Sequence, residues 1–342
     1  MTGTRRTFFL GLAGLAGCTR DSRPRLNVYN WSDYIAPETI TRFQQQTGSR
    51  IHYANYESNE ELLSKVFSGN SGWDVIFPSH YFLQPLQQNG LLLPLQAGRL
   101  PLLPNLTAEM RSPSWDPSLD WCVPYMLGAA GIVHQRSVKV TDPSWDLLWN
   151  EALRGKVTML DDPGDTIGAA LLKLGFPLNT GDASALQQAK QALIAQKQML
   201  RAYLNSETRQ GLVGGDIQAS HLWATVALLA MDESEELSFY YPREGYARYA
   251  DCAVVLKESR HPELAHEFLN FLLQPEVAAA NAEAALATTT NQEARRVLPV
   301  ELRDSLALFP DAVTLSRGQW FEPLPPDVQR LRDRIWTEVK AH

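Results

Sequence analysis

The sequence predicts an α/β protein built as two lobes. Three observations carry this. The chain has 342 residues, more than one ordinary hydrophobic core organises. Short apolar runs alternate with helical stretches through its first third, the pattern of βαβ units on a largely parallel sheet. A proline-rich passage from Pro94 to Pro124 interrupts the alternation, which then resumes.

The elements follow in order. Residues 26–30 read as a strand. Pro37 suits the start of a helix, where its missing N–H costs little, and this helix runs to Thr47 and stops at Gly48. Residues 50–56 read as a second strand. Ser58-Asn59-Glu60-Glu61 has the spacing of a capping box and opens a helix that ends near Gly69. Residues 73–77 read as a buried strand, 81–89 as a helix and 91–95 as a strand. After the proline-rich passage, 145–149 begin a helix, 156–160 form a strand and 166–174 a helix. Residues 183–199 form a longer helix with a polar face. Strands are expected at 217–222, 237–241 and 249–256, and helices at 262–273, 275–286 and from Pro326 onward. Periodicity does not fix how often the chain crosses between lobes.

The N-terminus reads as a leader. Arg5 and Arg6 precede an apolar run from Phe8 to Gly17, a pattern resembling a twin-arginine export signal. The run is too short to span a bilayer and fits a signal h-region. Leu15-Ala16-Gly17-Cys18 has the form of a lipoprotein cleavage box. Residues 1–17 are therefore expected to be a removed signal peptide, Cys18 the lipidated residue and 18–24 a polar tether. Two acyl chains hold a protein at a membrane where one holds only marginally. Losing Arg5 and Arg6 takes the net charge from −7 to −9. An acidic chain is a poor match for nucleic acid, whose phosphates require a basic surface. No apolar stretch after the first twenty positions reaches bilayer-spanning length. Cys122 and Cys252 remain; export permits a disulfide, but the sequence does not show that they meet.

Catalytic signatures are missing: the chain has no His-Glu-x-x-His, Walker loop, Gly-x-Ser-x-Gly or Gly-x-Gly-x-x-Gly. The seven histidines are scattered without metal-ligand spacing. Aromatic and acidic residues instead recur at strand ends, where open α/β sheets bind ligands. Asn30-Trp31-Ser32-Asp33-Tyr34 follows the first strand, Pro78-Ser79-His80-Tyr81 another and Asp161-Asp162-Pro163-Gly164-Asp165 a third, while Tyr249-Ala250-Asp251 lies in a fourth. Aromatic faces attract alkylammonium groups by about 0.5–2 kcal/mol each, and carboxylates supply charge and hydrogen-bond acceptors. The competing account makes each aromatic core packing and each acid a helix cap, with Asp165 capping a helix from Thr166 and Asp33 another candidate cap.

Specific stretches then carry a resemblance. Val28-Tyr29-Asn30-Trp31-Ser32-Asp33-Tyr34-Ile35, Tyr56-Glu57-Ser58-Asn59-Glu60 and Asp74-Val75-Ile76-Phe77-Pro78-Ser79 come first. Val123-Pro124-Tyr125 with Gly128, Ser144-Trp145, Leu160-Asp161-Asp162, Trp223 and Tyr241-Pro242-Arg243-Glu244-Gly245 follow in order. Phe268-Leu269-Asn270-Phe271-Leu272-Leu273 and Pro275-Glu276-Val277 come last, ahead of Phe309-Pro310. The chain resembles the bacterial spermidine/putrescine-binding proteins of ABC importers.

That resemblance implies a type II periplasmic-binding-protein fold, two α/β lobes joined by crossing hinge strands, with no catalysis, cofactor or metal. One lobe would comprise 25–125 plus 253–298, the other 126–252 plus 299–342. Trp31, Tyr34, Tyr81, Trp223 and Tyr249 would lie against a ligand's methylene chain, with Asp33 and Ser79 nearby. Asp162 and Asp165 would hold one amino end, and Asp251 a central or opposite amine. The implied partners are a polyamine-like cation and an inner-membrane ABC permease, for a monomer lipid-anchored on the periplasmic side. Crossing strands run side by side, so a Cys122–Cys252 disulfide would clamp the hinge; two small buried thiols are the alternative.

Departures from the family pattern concern the ligand. Spermidine binders of the family carry Glu where this chain has Asp165, Trp where it has Tyr249, and Gln where it has Phe321, here followed by Glu322. Arg248 stands beside Tyr249, although strand alternation sends it to the face opposite Tyr249 and Asp251. Putrescine and spermidine therefore both remain candidates. Two other readings stand beside the polyamine one: a ferric-iron binder using Tyr240 and Tyr241, and an exported hydrolase using paired acids among Asp162, Asp165 and Asp251.

Overall fold

The structure, a computed structural model, describes residues 22–342. The twin-arginine motif, the cleavage box and Cys18 lie outside the described residues. Eleven strands form one continuous hydrogen-bonded assembly among the described residues. They are β1 (Arg25–Trp31), β2 (Arg50–Tyr56), β3 (Val75–Ile76), β4 (Val123–Gln135), β5 (Val157–Met159), β6 (Ala202–Tyr203), β7 (Ala219–Trp223), β8 (Leu237–Tyr240), β9 (Tyr246–Val255), β10 (Thr288–Thr289) and β11 (Gly318–Trp320).

Two parallel sheets lie at its ends. β2 and β3 flank β1, both parallel to it. β6 and β7 flank β5, again parallel. The strands β4 and β9 run antiparallel between these sheets and connect them. Val254 and Val255 of β9 pair with β3, while Arg248 to Ala253 pair with the first half of β4. The second half of β4, from Ala130 to His134, pairs with β7, and β8 lies on its other edge. Short strands complete the crossing: β10 on β4, and β11 parallel to β9.

The sheet around β1 is buried on both faces, as parallel sheets require. Val28 and Val75 point to a core with Phe43, Phe77, Phe268 and Leu269. Tyr29 and Ile76, their neighbours along each strand, point to a second core with Tyr56, Leu62, Trp73 and Leu86. The helix Pro37–Thr47 begins with proline, presents Phe43 edge-on to Phe268 at 5.0 Å, and ends at Gly48 with φ +64°. Ser58 caps the helix Asn59–Phe67, its Oγ accepting from the Glu61 N–H at 3.1 Å, while Glu61 accepts the Glu57 N–H at 3.0 Å. The other parallel sheet is likewise sandwiched, between a core containing Ile132, Trp145, Val157 and Tyr246 and one containing Val133, Leu160 and Leu222.

The structure differs from the sequence expectations in three places that matter. The thirteen-residue β4 is the longest strand described, yet no element was expected there, since it starts at the end of the proline-rich passage and carries Pro124, Gly128 and Gly131. Both glycines are required by packing: a Cβ at Gly128 would stand 2.1 Å from the Tyr249 ring, and one at Gly131 2.5 Å from Phe239. Residues 91–95, expected as a strand, make only an isolated bridge from Leu92 to Leu256. The helix expected at Thr166 starts one turn earlier, as Pro163–Lys173, because Asp162 accepts the Asp165 N–H at 2.8 Å and Pro163 takes the first helical position. Asp162 is therefore the cap, and the carboxyl of Asp165 is released from that role.

Cys122 and Cys252 are fully buried free thiols sharing one core cluster beside the crossing. Arg248 packs its guanidinium 4.0 Å from the centre of the Trp320 ring and pairs with Glu109 at 3.4 Å.

Candidate functional site

A cavity of about 240 Å³ opens between the two sheets. All ten residues singled out as ligand candidates line it: Trp31, Asp33, Tyr34, Ser79, Tyr81, Asp162, Asp165, Trp223, Tyr249 and Asp251. Each arrives from an element whose local chemistry delivers it.

The chain leaves β1 at Trp31, whose indole N–H donates to the Phe77 carbonyl at 2.8 Å and whose ring packs on Tyr56 at 4.6 Å. Asp33 then takes a left-handed φ of +54°, a conformation that aspartate tolerates better than most residues. Asp33 stays exposed while Tyr34 is buried. The Tyr34 hydroxyl donates to Asp251 Oδ2 at 2.9 Å. The Ser79 hydroxyl donates to Asp251 Oδ1 at 2.7 Å. Ser79 is itself fixed by Asn59, which accepts its N–H at 3.0 Å and donates to its Oγ at 3.1 Å. Both oxygens of Asp251 thus have neutral donors. Burial nonetheless pushes its carboxyl from 3.8 up to about 7, and the two hydroxyls offset only part of that.

A different arrangement holds Asp162 and Asp165. Asp162 caps the helix Pro163–Lys173 and Asp165 stands in its first turn. Burial raises Asp162 to about 6 against its hydrogen bonds to the helix N-terminus. Asp165 is 4% exposed. Its Oδ2 accepts the Trp223 indole N–H at 3.0 Å, but its Oδ1 has no partner. Burial and then the neighbouring Asp162 charge hold its carboxyl well above the usual range. No ion pair reaches Asp162, Asp165 or Asp251 among the described residues.

Aromatic rings complete the walls. Tyr249 projects from β9 over Gly128, which has no side chain to obstruct it. Burial first, and then the neighbouring Asp251 and Asp165, hold its hydroxyl well above the usual range. Trp223 ends β7 and begins the helix Ala224–Glu233, which supplies Val226 and Leu229 to the wall. Chemically the cavity offers buried carboxyl oxygens on two separate elements, further acids such as Asp33 and Glu60 along its lining, and aromatic faces between them. That combination solvates an elongated aliphatic cation.

Several lining residues escaped the sequence reading. Asn59 and Glu60 stood in a capping box and in a stretch of the family resemblance without a ligand role, yet that helix start faces the cleft. Asn205, Arg209 and Leu229 gave no signal; Arg209 pairs with Glu233 at 2.6 Å. The tyrosine pair considered for iron is divided. Tyr240 donates to Ser144 O at 3.0 Å and Tyr241 to Ala307 O at 2.5 Å, and neither lines the cavity.

Comparison with known proteins agrees with this architecture. The family model for bacterial extracellular solute-binding proteins matches residues 38–304. The spermidine/putrescine-binding periplasmic protein of Salmonella typhimurium is 28% identical over 331 residues, 96% of this chain and 95% of that protein. The putrescine/agmatine-binding protein of Pseudomonas aeruginosa is 30% identical over 336 residues, 92% of each. The TpPotD lipoprotein of Treponema pallidum superposes with a TM-score of 0.86 at 26% identity, covering 93% of this chain and all of that one. PotD from Streptococcus pneumoniae gives 0.84 at 27% identity, covering 93% of this chain and 99% of that one. The two parallel sheets joined by crossing strands are the type II periplasmic-binding-protein fold, and the chain belongs to the bacterial extracellular solute-binding proteins.

Proposed function

We propose that this protein captures a small polyamine of the putrescine or spermidine class for an ABC importer. The observation that carries this reading is the set of carboxyls around an aromatic cavity, buried Asp251 on one element and half-buried Asp162 with buried Asp165 on another, none of the three reached by an ion pair among the described residues. A monoanionic or neutral ligand would leave those acids uncompensated, whereas a diamine meets both groups. Trp31, Tyr34, Tyr81, Trp223 and Tyr249 would enclose the methylene chain, with Asp33 and Ser79 beside it. The names of the relatives from Salmonella typhimurium and Pseudomonas aeruginosa support the same ligand class.

The lobes would comprise 25–125 plus 253–298 and 126–252 plus 299–342, closing over the ligand about β4 and β9. Attachment through Cys18 would hold the monomer at the membrane beside its permease and require no catalysis. Thermal denaturation against a panel of polyamines, amino acids and ferric iron tests the function. A true ligand raises the melting temperature with the logarithm of its concentration. Putrescine or spermidine should do so; stabilisation by an amino acid or iron and by no amine would overturn the reading.

A further inference from the structure

The cleft lies at the carboxyl end of β1, where Trp31, Asp33 and Tyr34 line it. The amino ends of β1, β2 and β3 form the opposite pole of that lobe, and this pole is basic. Arg25 and Arg50 begin β1 and β2 and stand opposite each other in the parallel register. The helix Asn59–Phe67 ends here, with Lys65 in its last turn. The chain leaving β9 adds Lys257 and Arg260. It is fastened at the start of β3, where the Leu256 N–H donates to Asp74 O at 2.9 Å and the Arg260 N–H to Asp74 Oδ1 at 3.0 Å. Arg25, Lys65, Lys257 and Arg260 are exposed, and none of the four enters an ion pair among the described residues. Acids at this pole are already engaged. Glu258 accepts the Gly72 N–H at 3.2 Å, and Glu263 pairs with Arg99 at 3.8 Å. Phe67, at the end of its helix, is 45% exposed beside Lys65.

The chain's own N-terminus names the occupant of this surface. Pro24 O accepts the Arg50 N–H at 2.8 Å, so the polypeptide is fastened to the basic pole from Pro24 onward. Six steps along the chain separate Pro24 from Cys18, about 20 Å at full extension. An acyl group on Cys18 would therefore keep this pole, and no other part of the molecule, next to the bilayer. The same stretch carries Arg20 and Arg23 against a single acid, Asp21. Basic residues beside an acyl anchor are attracted to anionic headgroups, whereas the remainder of this acidic chain would be repelled by them. An exposed aromatic ring among those basic residues suits the headgroup boundary. From there β1 runs about 20 Å to the cleft, at roughly 3.3 Å per residue.

We propose that this pole is a docking surface for anionic phospholipid. Its lysines and arginines meet the headgroup phosphates and Phe67 enters the interface, which fixes the protein in one orientation with its cleft held clear of the membrane. The inference rests on the reading of Cys18 as the acylated residue.

Two preparations separate the surface from the anchor. Mass spectrometry of the exported protein should find Cys18 acylated; an unmodified Cys18 would overturn the anchor reading and this inference with it. The unacylated chain from Thr19 onward, which keeps every described residue, is then sedimented with phosphatidylcholine vesicles, with and without phosphatidylglycerol, at low and high salt. It should bind the anionic vesicles at low salt and leave them at high salt. Each basic residue at an anionic surface contributes about fivefold, so Lys257→Gln with Arg260→Gln should lower partitioning by about tenfold or more. Arg25→Gln with Lys65→Gln is a second, independent pair should the first not fold. Phe67→Ser should weaken binding less. Lys156→Gln with Arg201→Gln, which removes the same charge before β5 and β6 in the other lobe, should leave partitioning unchanged. Melting temperatures of the variants should match wild type. No salt-sensitive binding to anionic vesicles, or an equal loss in the Lys156 and Arg201 pair, would overturn the docking surface and leave the anchor reading standing.

Discussion

Asp251 and Asp165 are both buried acids of one cavity, yet they are compensated in opposite ways. Asp251 is a single carboxyl whose two oxygens accept from Tyr34 and Ser79. Asp165 has one donor, Trp223, a bare oxygen, and a second acid, Asp162, three residues away in the same helical turn. The Asp251 group is preorganised and stands alone, so nothing replaces it. The Asp162–Asp165 group is a mutually repelling pair, and either member retains charge if the other is removed. The same ligand charge is thus met by a rigid acceptor at one place and by a redundant pair at the other.

Asp251→Asn should break the site most severely. Removing one partner of a buried charge pair costs about 3–5 kcal/mol, or a hundredfold or more in affinity, measured by titration calorimetry. Asp165→Asn should cost less, about tenfold, because Asp162 is relieved of its neighbour and ionises more readily. A larger loss at Asp165 than at Asp251 would invert the comparison.

The ligand-free protein should respond to pH with a definite sign. The folded-state value of Asp251, about 7, lies above its ordinary 3.8. Its contribution to stability is therefore fully present below pH 3.8 and is lost as pH rises to about 7. Asp162, at about 6, acts in the same direction. Asp251→Asn should consequently raise the ligand-free melting temperature at pH 8 relative to wild type while abolishing tight binding. A lower melting temperature would assign the carboxylate a structural role instead. Tyr34→Phe should have the smallest effect. It removes one neutral donor, worth about 1 kcal/mol or roughly five-fold in affinity, and leaves Ser79 in place.

The parts of this design that were readable in the sequence are those with local causes. Alternating apolar runs, Pro37 and Gly48 at the ends of one helix, and the Ser58 cap all act within a few residues. The pairing of aromatics with acids after successive strands drew attention to nine of the ten ligand candidates, while Trp223 entered through the family resemblance. What stayed hidden depends on distant contacts. β4 was obscured because its glycines answer to Tyr249 and Phe239, more than a hundred positions away, rather than to its own strand propensity. Asp165 looked like a helix cap because only the structure shows Asp162 performing that task, which frees Asp165 for the cavity. The role of Asn59 in holding Ser79 likewise needs two strand ends brought together.

Below pH 7 the acids of the cleft should give up their protons as a cation arrives. Titrating putrescine into the protein at pH 6, in buffers of different ionisation enthalpy, tests it directly. The account predicts net proton release on binding and an affinity that rises with pH until about 7. Binding with no proton release, or binding that tightens as pH falls, would contradict it.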